Sequence, residues 1–248
     1  MTVTTIHFNS LYEHLSPLID SVVASGLPVD SRMVYDGPRN TVVAVTAEDG
    51  TDVSIKAFRV PIWINRIAYG MLRPSKASRS FNNAMRLISL GFDTPEPIAY
   101  AEQRTLGLFG RSYYFCRHIH GVSEVRNIER LPECEDIMAE IAVLMVRLHR
   151  AGVLVKDFSP GNVLYRTDAE GRRRYMLVDI NRMAFDVHDH ERLMSMFTRM
   201  MNTEKLTARL AYHYCRAAGI APDSPDGQAL IAEAIAVYRS FWGRRRQY

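Results

Sequence analysis

The chain has 248 residues, 47% of them hydrophobic and 23% charged, with a formal net charge of +4. That apolar content supplies a sizeable core and excludes an intrinsically disordered chain, and the positive balance suits an anionic partner such as a nucleotide, phospholipid, sugar phosphate or nucleic acid. The three cysteines, Cys116, Cys134 and Cys215, show neither Cys-x-x-Cys spacing nor a disulfide framework, which favours a reducing cytosol. At this length the chain is one large domain or two lobes sharing a cleft. Met1–His7 lacks the basic and apolar regions of a signal peptide, and no uncharged apolar run reaches the roughly 18 residues of a membrane span. The expectation is a cytoplasmic protein whose charge leaves room for peripheral contact at the inner membrane.

Residues 1–31 read as a lead-in of mixed helical character, with Ser10 as a cap before the apolar spacing of Leu11, Tyr12 and Leu15. Strands are expected from Arg32 to Phe58. Thr41–Thr46 is β-branched, Glu48-Asp49-Gly50 turns the chain, and Asp52–Phe58 completes a hairpin. The preceding turn, Asp36-Gly37-Pro38-Arg39-Asn40, has two readings. It lies over nucleotide phosphates, with Gly37 and Asn40 as the contacts, or it is an ordinary hairpin corner. Lys56 also has two. A lysine near the end of a strand reaches phosphate as a point charge, and a solvent-facing strand lysine has the same sequence pattern.

From Val53 through Phe92 there is no acidic residue, whereas Lys56, Arg59, Arg66, Arg73, Lys76, Arg79 and Arg86 are all present. The second half, Ser78–Leu90, has helical spacing and ends at Gly91. Such a charge run is either a solvated helix face or a surface for an anionic acceptor or phospholipid headgroups. Asp93–Tyr100 leads into another strand, and a second hairpin runs to Cys116. Arg117–Gly121 suits a linker, and His118 and His120 are read as structural, without a metal. Residues 133–150 form the clearest helix, with Ile137, Ile141, Leu144, Met145 and Leu148 on one face. After Met183 the pattern is helical over 189–218 and 226–242. The polar cluster Asp186–Glu191 reads as a helix start, where acidic residues are favoured.

Between these elements lies Val155-Lys156-Asp157-Phe158-Ser159-Pro160-Gly161-Asn162-Val163-Leu164-Tyr165, followed beyond a basic turn by Tyr175-Met176-Leu177-Val178-Asp179. Asp157 can take a proton from a hydroxyl. Asn162 and Asp179 can hold a hard cation through oxygen. The spacing resembles the Asp-x-x-x-x-Asn loop and following metal-binding Asp of the protein-kinase-like superfamily. Within it, the chain most resembles the bacterial lipopolysaccharide-core sugar kinases, the heptose and 3-deoxy-manno-octulosonic acid (Kdo) group. Asp93-Thr94-Pro95-Glu96-Pro97-Ile98-Ala99-Tyr100, Leu148-His149-Arg150-Ala151-Gly152-Val153, Ser159-Pro160-Gly161-Asn162 and Leu177-Val178-Asp179-Ile180-Asn181-Arg182 carry this likeness, which extends over about residues 32–200.

The resemblance implies an α+β bilobal kinase-like fold. Its N-lobe, residues 32–116, would be an antiparallel sheet with a helix, its hinge 117–121, and its C-lobe, 122–248, mainly helical. It also implies an ATP- and Mg2+-dependent phosphotransferase acting on a core sugar or related envelope saccharide, free or lipid-linked. Asp157 would be the catalytic residue, Asn162 and Asp179 the metal ligands, and Lys56 a phosphate contact. Ser159 stands where protein kinases of serine and threonine generally carry lysine, which favours a sugar or lipid acceptor over protein. Departures are Val155 in place of the usual histidine and Asp179-Ile180-Asn181 in place of Asp-Phe-Gly, where Asn181 would add an oxygen ligand. The glycine-rich loop is reduced to Gly37, and Arg79–Ala84 offers no carboxylate for Lys56. A protein kinase is the alternative enzyme, and a pseudokinase scaffold that docks through its basic helix the alternative of another class. No aromatic-basic interleaving supports nucleic-acid binding.

Overall fold

The computed structural model describes residues 2–60, 74–106 and 108–245. Two compact units divide the chain, Met1–His120 and Gly121–Tyr248. In the first unit, strands β1 (Thr2–Phe8), β2 (Arg32–Asp36), β3 (Asn40–Thr46), β4 (Asp52–Phe58), β5 (Pro97–Thr105) and β6 (Leu108–Arg117) form one antiparallel sheet. Their order is β1-β5-β6-β4-β3-β2. Strand alternation decides what each face meets. Val53 and Ile55 of β4, with Phe115 of β6, turn to one face and pack with Ile19, Val22 and Val23 of helix α1 (Ser16–Ser25). Phe58 and Tyr114 turn to the other face, where Ala77 and Phe81 of helix α2 (Lys76–Ser89) cover them.

The beginning of the chain differs from the helical expectation. Thr2–Phe8 pairs with β5 along its whole length, from Thr2 opposite Thr105 to Phe8 opposite Ala99. The β-branched run Val3-Thr4-Thr5-Ile6 suits a pleated edge once a partner is available, and that partner lies far along the sequence. The turn that follows is capped by Asn9, not Ser10, whose side chain accepts the Leu11 N–H at 3.3 Å. Of the basic stretch, Arg66 and Arg73 fall outside the described residues. Lys76, Arg79 and Arg86 lie on α2, and Ser75 caps its start by accepting the Ser78 N–H at 3.0 Å.

The second unit is built on helix α3 (Cys134–Arg150), whose stripe Ile137, Ile141, Leu144, Met145 and Leu148 is buried as its spacing predicts. Short strands β7 (Ser123–Glu124), β8 (Leu154–Val155), β9 (Val163–Thr167), β10 (Arg173–Leu177) and β11 (Met183–Ala184) form two small sheets, ordered β10-β9-β7 and β11-β8. The helix expected over 189–218 is three pieces, α4 (His190–Met194), α5 (Phe197–Met200) and α6 (Glu204–Ala218). Met201 is extended, and Thr203 caps a fresh helix by accepting the Leu206 N–H at 3.2 Å, so local capping overrides apolar periodicity. Asp189 likewise caps α4 through the Arg192 N–H at 2.7 Å. Helix α7 (Pro225–Arg245) closes the described chain. Among the described residues no helix is long and apolar enough to cross a membrane.

Candidate functional site

The Asp157 loop is held at both ends. β8 brings the chain in and pairs with β11, Val155 opposite Met183, and the Lys156 N–H continues that pairing to the Arg182 carbonyl at 3.0 Å. The buried side chains of Val155 and Phe158 fix the loop on its apolar side. Asn162 closes it. Its backbone N–H donates to the Ser159 carbonyl at 2.9 Å, and its side-chain Nδ2 donates to the Asp157 carbonyl at 2.9 Å. Its own carbonyl accepts the Val178 N–H at 2.9 Å, the residue before Asp179. One asparagine therefore links the start of the loop to the segment that delivers the second carboxylate. With the amide nitrogen committed to backbone, the other limb, Oδ1, is the group suited to a cation.

Asp179 has φ of +52°, in the left-handed region that non-glycine residues enter at a cost on the order of 1 kcal/mol. Asn181, read from the sequence as an additional oxygen ligand, uses its amide nitrogen to donate to Asp179 Oδ1 at 2.7 Å. Asn181 is buried, so this contact orients the carboxylate from the protein side. The Asp179 carboxylate and the amide oxygen of Asn162 are hard oxygen donors of the kind that could hold a cation. Among the described residues there is no group of three or more His, Cys, Asp or Glu able to hold a metal. Two oxygen donors fit Mg2+, which prefers to keep water and phosphate oxygens in its shell.

Two arginines at this loop escaped sequence reasoning. Arg199 of α5 donates through Nη1 to Asp157 Oδ1, with the two side chains only 26% and 23% exposed. The partners are 42 residues apart, and nothing local distinguishes Arg199 from other helix arginines. Arg126, just after β7, lies against Gly161, where a Cβ would overlap its guanidinium. Its Nε donates to Glu124 Oε2 at 2.8 Å. The bare glycine lets the guanidinium approach the loop backbone.

The other predicted residues belong to the first unit. Lys56 lies on the α2 side of the sheet, opposite Tyr114 in register, with Nζ 5.5 Å from the Phe58 ring. Burial pushes the neighbouring Cys116 thiol up to about 12, and the positive charge of Lys56 acts in the opposite direction. Helix α2 contains no carboxylate, as its sequence requires. Gly37 and Asn40 bracket the β2–β3 corner. The Gly37 N–H donates to the Asn40 carbonyl at 3.1 Å, and a Cβ on Gly37 would overlap Tyr35. His118 and His120 belong to a polar network in the same unit. An Arg32 N–H donates to His118 Nε2 at 2.7 Å, which leaves Nδ1–H to donate to Ser54 Oγ at 2.8 Å. His120 Nε2 pairs with Asp52 Oδ2 at 2.8 Å.

Comparison with known proteins bears on this geometry. The model of the lipopolysaccharide kinase (Kdo/WaaP) family matches residues 34–214. A search of curated protein sequences finds no significant match. Among solved structures, WaaP in complex with acyl carrier protein is similar at a TM-score of 0.59 and 16% identity, over 94% of this chain and 99% of that one. The Rio2 kinase–ADP/Mg2+–phosphoaspartate complex from Chaetomium thermophilum is similar at 0.52 and 19% identity, over 96% of this chain and 62% of that one. A second Rio2 kinase structure from the same organism gives 0.51 and 17%, over 93% of this chain and 76% of that one. The fold is therefore of the protein-kinase-like kind, with an antiparallel N-terminal sheet and a mainly helical C-terminal part.

Proposed function

The chain belongs to the lipopolysaccharide kinase (Kdo/WaaP) family and is a kinase for a lipopolysaccharide-core sugar, and from that premise we propose how its residues divide the work. The observation that carries the proposal is the double role of Asn162, bonded to the Asp157 carbonyl by its side chain and to the Val178 N–H by its backbone. Asp157 orients the acceptor hydroxyl and takes its proton. Asn162 Oδ1 and Asp179 hold Mg2+, and Asn181 keeps the Asp179 carboxylate turned for that task. A cation held there would supply positive charge to offset the negative charge of the ATP phosphates. Lys56 contacts those phosphates, Gly37 and Asn40 the nucleotide beside them, and residues 117–121 form the hinge. Positioning and charge neutralisation account for most of the rate in such transfers.

The acceptor in this reading is a free or lipid-linked saccharide of the bacterial envelope. The enzyme works in the cytoplasm, in peripheral contact with the anionic inner-membrane surface through its basic stretch. The lack of a carboxylate in α2 favours a second reading, a nucleotide-binding scaffold. Mass spectrometry of core glycolipid decides between them, using deletion cells that carry an empty vector, the wild-type gene or Asp157→Asn. A phosphate-sized mass gain with wild type only, and a turnover loss on the order of a thousandfold for purified Asp157→Asn, is the expected result. Equal glycolipid phosphorylation by wild type and Asp157→Asn would transfer the argument to the scaffold.

A further inference from the structure

Between Asp157 and Asn162 the loop reads Phe158-Ser159-Pro160-Gly161 and carries no cation of its own. The structure brings one from the C-terminal helices. Arg199 donates to Asp157 Oδ1, and its guanidinium carbon lies 5.0 Å from the centre of the Phe241 ring on α7. The same helix ties down the chain around Arg199. Trp242 Nε1 donates to the Thr198 carbonyl at 3.0 Å, and the Tyr238 hydroxyl donates to the Asn202 carbonyl at 2.8 Å. Residues 198–202 are thus fastened to α7 before and after the arginine. An aromatic face and a carboxylate together hold the planar guanidinium in one orientation.

We propose that Arg199, fixed by Phe241, Trp242 and Tyr238 of α7, is a positioning residue that sets the orientation of the catalytic Asp157 carboxylate. This inference rests on the kinase reading given above. In the transfer, the acceptor oxygen bonds to the γ-phosphorus of ATP, the bond from that phosphorus to the β–γ bridging oxygen breaks, and ADP leaves with its electron pair. The hydroxyl proton passes to Asp157. A carboxylate free to rotate would offer the hydroxyl many geometries, most of them out of line with the leaving group. One oxygen held by Arg199 leaves the other presented to the acceptor hydroxyl in a fixed direction. Bonds from α7 to the carbonyls of Thr198 and Asn202 make the C-terminal helix part of this support.

The test uses the full chain, with labelled Mg-ATP and core lipopolysaccharide from cells lacking the gene, and compares Arg199→Gln, Arg199→Lys, Phe241→Leu and Asp157→Asn. Arg199→Gln should lower kcat about a hundredfold, within the range seen when one preorganised donor is lost, with KM for ATP changed less than about threefold. Arg199→Lys should recover about a tenth of wild-type kcat, and Phe241→Leu should lose about tenfold. Because Arg199 acts through Asp157, adding Arg199→Gln to Asp157→Asn should cost less than about threefold more. A wild-type kcat in Arg199→Gln, or a full hundredfold further loss in the double variant, overturns the inference. So does failure of Arg199→Lys to exceed Arg199→Gln when both melt at the wild-type temperature. If Arg199→Gln unfolds, the lysine and Phe241 variants decide alone. If wild type leaves lipopolysaccharide unlabelled but releases phosphate from Mg-ATP, the acceptor assignment fails, and the same ratios are read on phosphate release. A wild type that does neither overturns both readings.

Discussion

Acid should weaken this fold through His149, at a magnitude that follows from its surroundings. The ring is 9% exposed near the end of α3, with Nδ1 2.8 Å from the Tyr214 hydroxyl and Nε2 3.3 Å from Met196 Sδ. Burial pushes its pKa from 6.5 down to about 4, with the charge of His190 adding to the effect. The neutral ring is the folded form, so its contribution is complete above the unfolded pKa and is lost as pH falls from 6.5 toward 4. A displacement of about 2.5 units, from 6.5 to about 4, corresponds to roughly 3 kcal/mol when fully expressed, and to about 2 kcal/mol at about pH 5. Urea unfolding of wild type and His149→Gln at about pH 7.5 and about pH 5 isolates this contribution, because other titrating groups are common to both. The glutamine amide keeps a polar partner for Tyr214. Between the two pH values wild type should lose about 2 kcal/mol more than the variant. Parallel losses would show that His149 is protonated in the folded protein without penalty and would refute the reasoning.

Two further outcomes concern ligands. Saturating Mg-ATP should raise the melting temperature, since a ligand at about 100 times its dissociation constant contributes roughly 2.7 kcal/mol, and Asp179→Asn should remove most of that gain in a thermal-shift measurement. Replacing Arg66, Arg73 and Lys76 with Gln should weaken binding to anionic lipid vesicles about a hundredfold, at on the order of 1 kcal/mol per charge, and raised salt should mimic the substitutions. Vesicle cosedimentation at two salt concentrations reads this, and equal, salt-independent binding would leave the basic stretch a solvated face.

The parts of the candidate site that are local in sequence are related by spacing alone. Asp157 and Asn162 lie in one turn, and Asp179 follows across one hairpin. Lys56 lies opposite the Val53–Ile55 face of β4, because a strand has only two sides. Of the missed features, two depend on distant partners and one on a local cap. Residues 2–8 carry β-branched side chains in a lead-in that looks weakly helical, and they become a strand because β5 is there to receive them. The α4–α6 region has continuous apolar spacing, yet the extended Met201 and the Thr203 cap divide it. Arg199 is the extreme case. Its role comes from a bend between short helices and from aromatic residues near the end of α7, none of which has a sequence signature.

Two carboxylates in the same unit are held by different kinds of partner, and this difference supports their separate assignments. Asp157 meets a guanidinium, which supplies charge as well as direction. Asp179 meets the Asn181 amide, a neutral donor that supplies direction and leaves the carboxylate charge as it is. A metal ligand benefits from retaining its full negative charge and from a fixed angle, because the cation is bound through both. A group that accepts a proton beside a polyphosphate benefits instead from a nearby cation, which tempers the repulsion between the carboxylate and the phosphate oxygens. Exchanging the two environments would work against both tasks. The left-handed backbone at Asp179 points the same way. A glycine there would relieve the conformation but would remove the carboxylate that the proposed metal site uses.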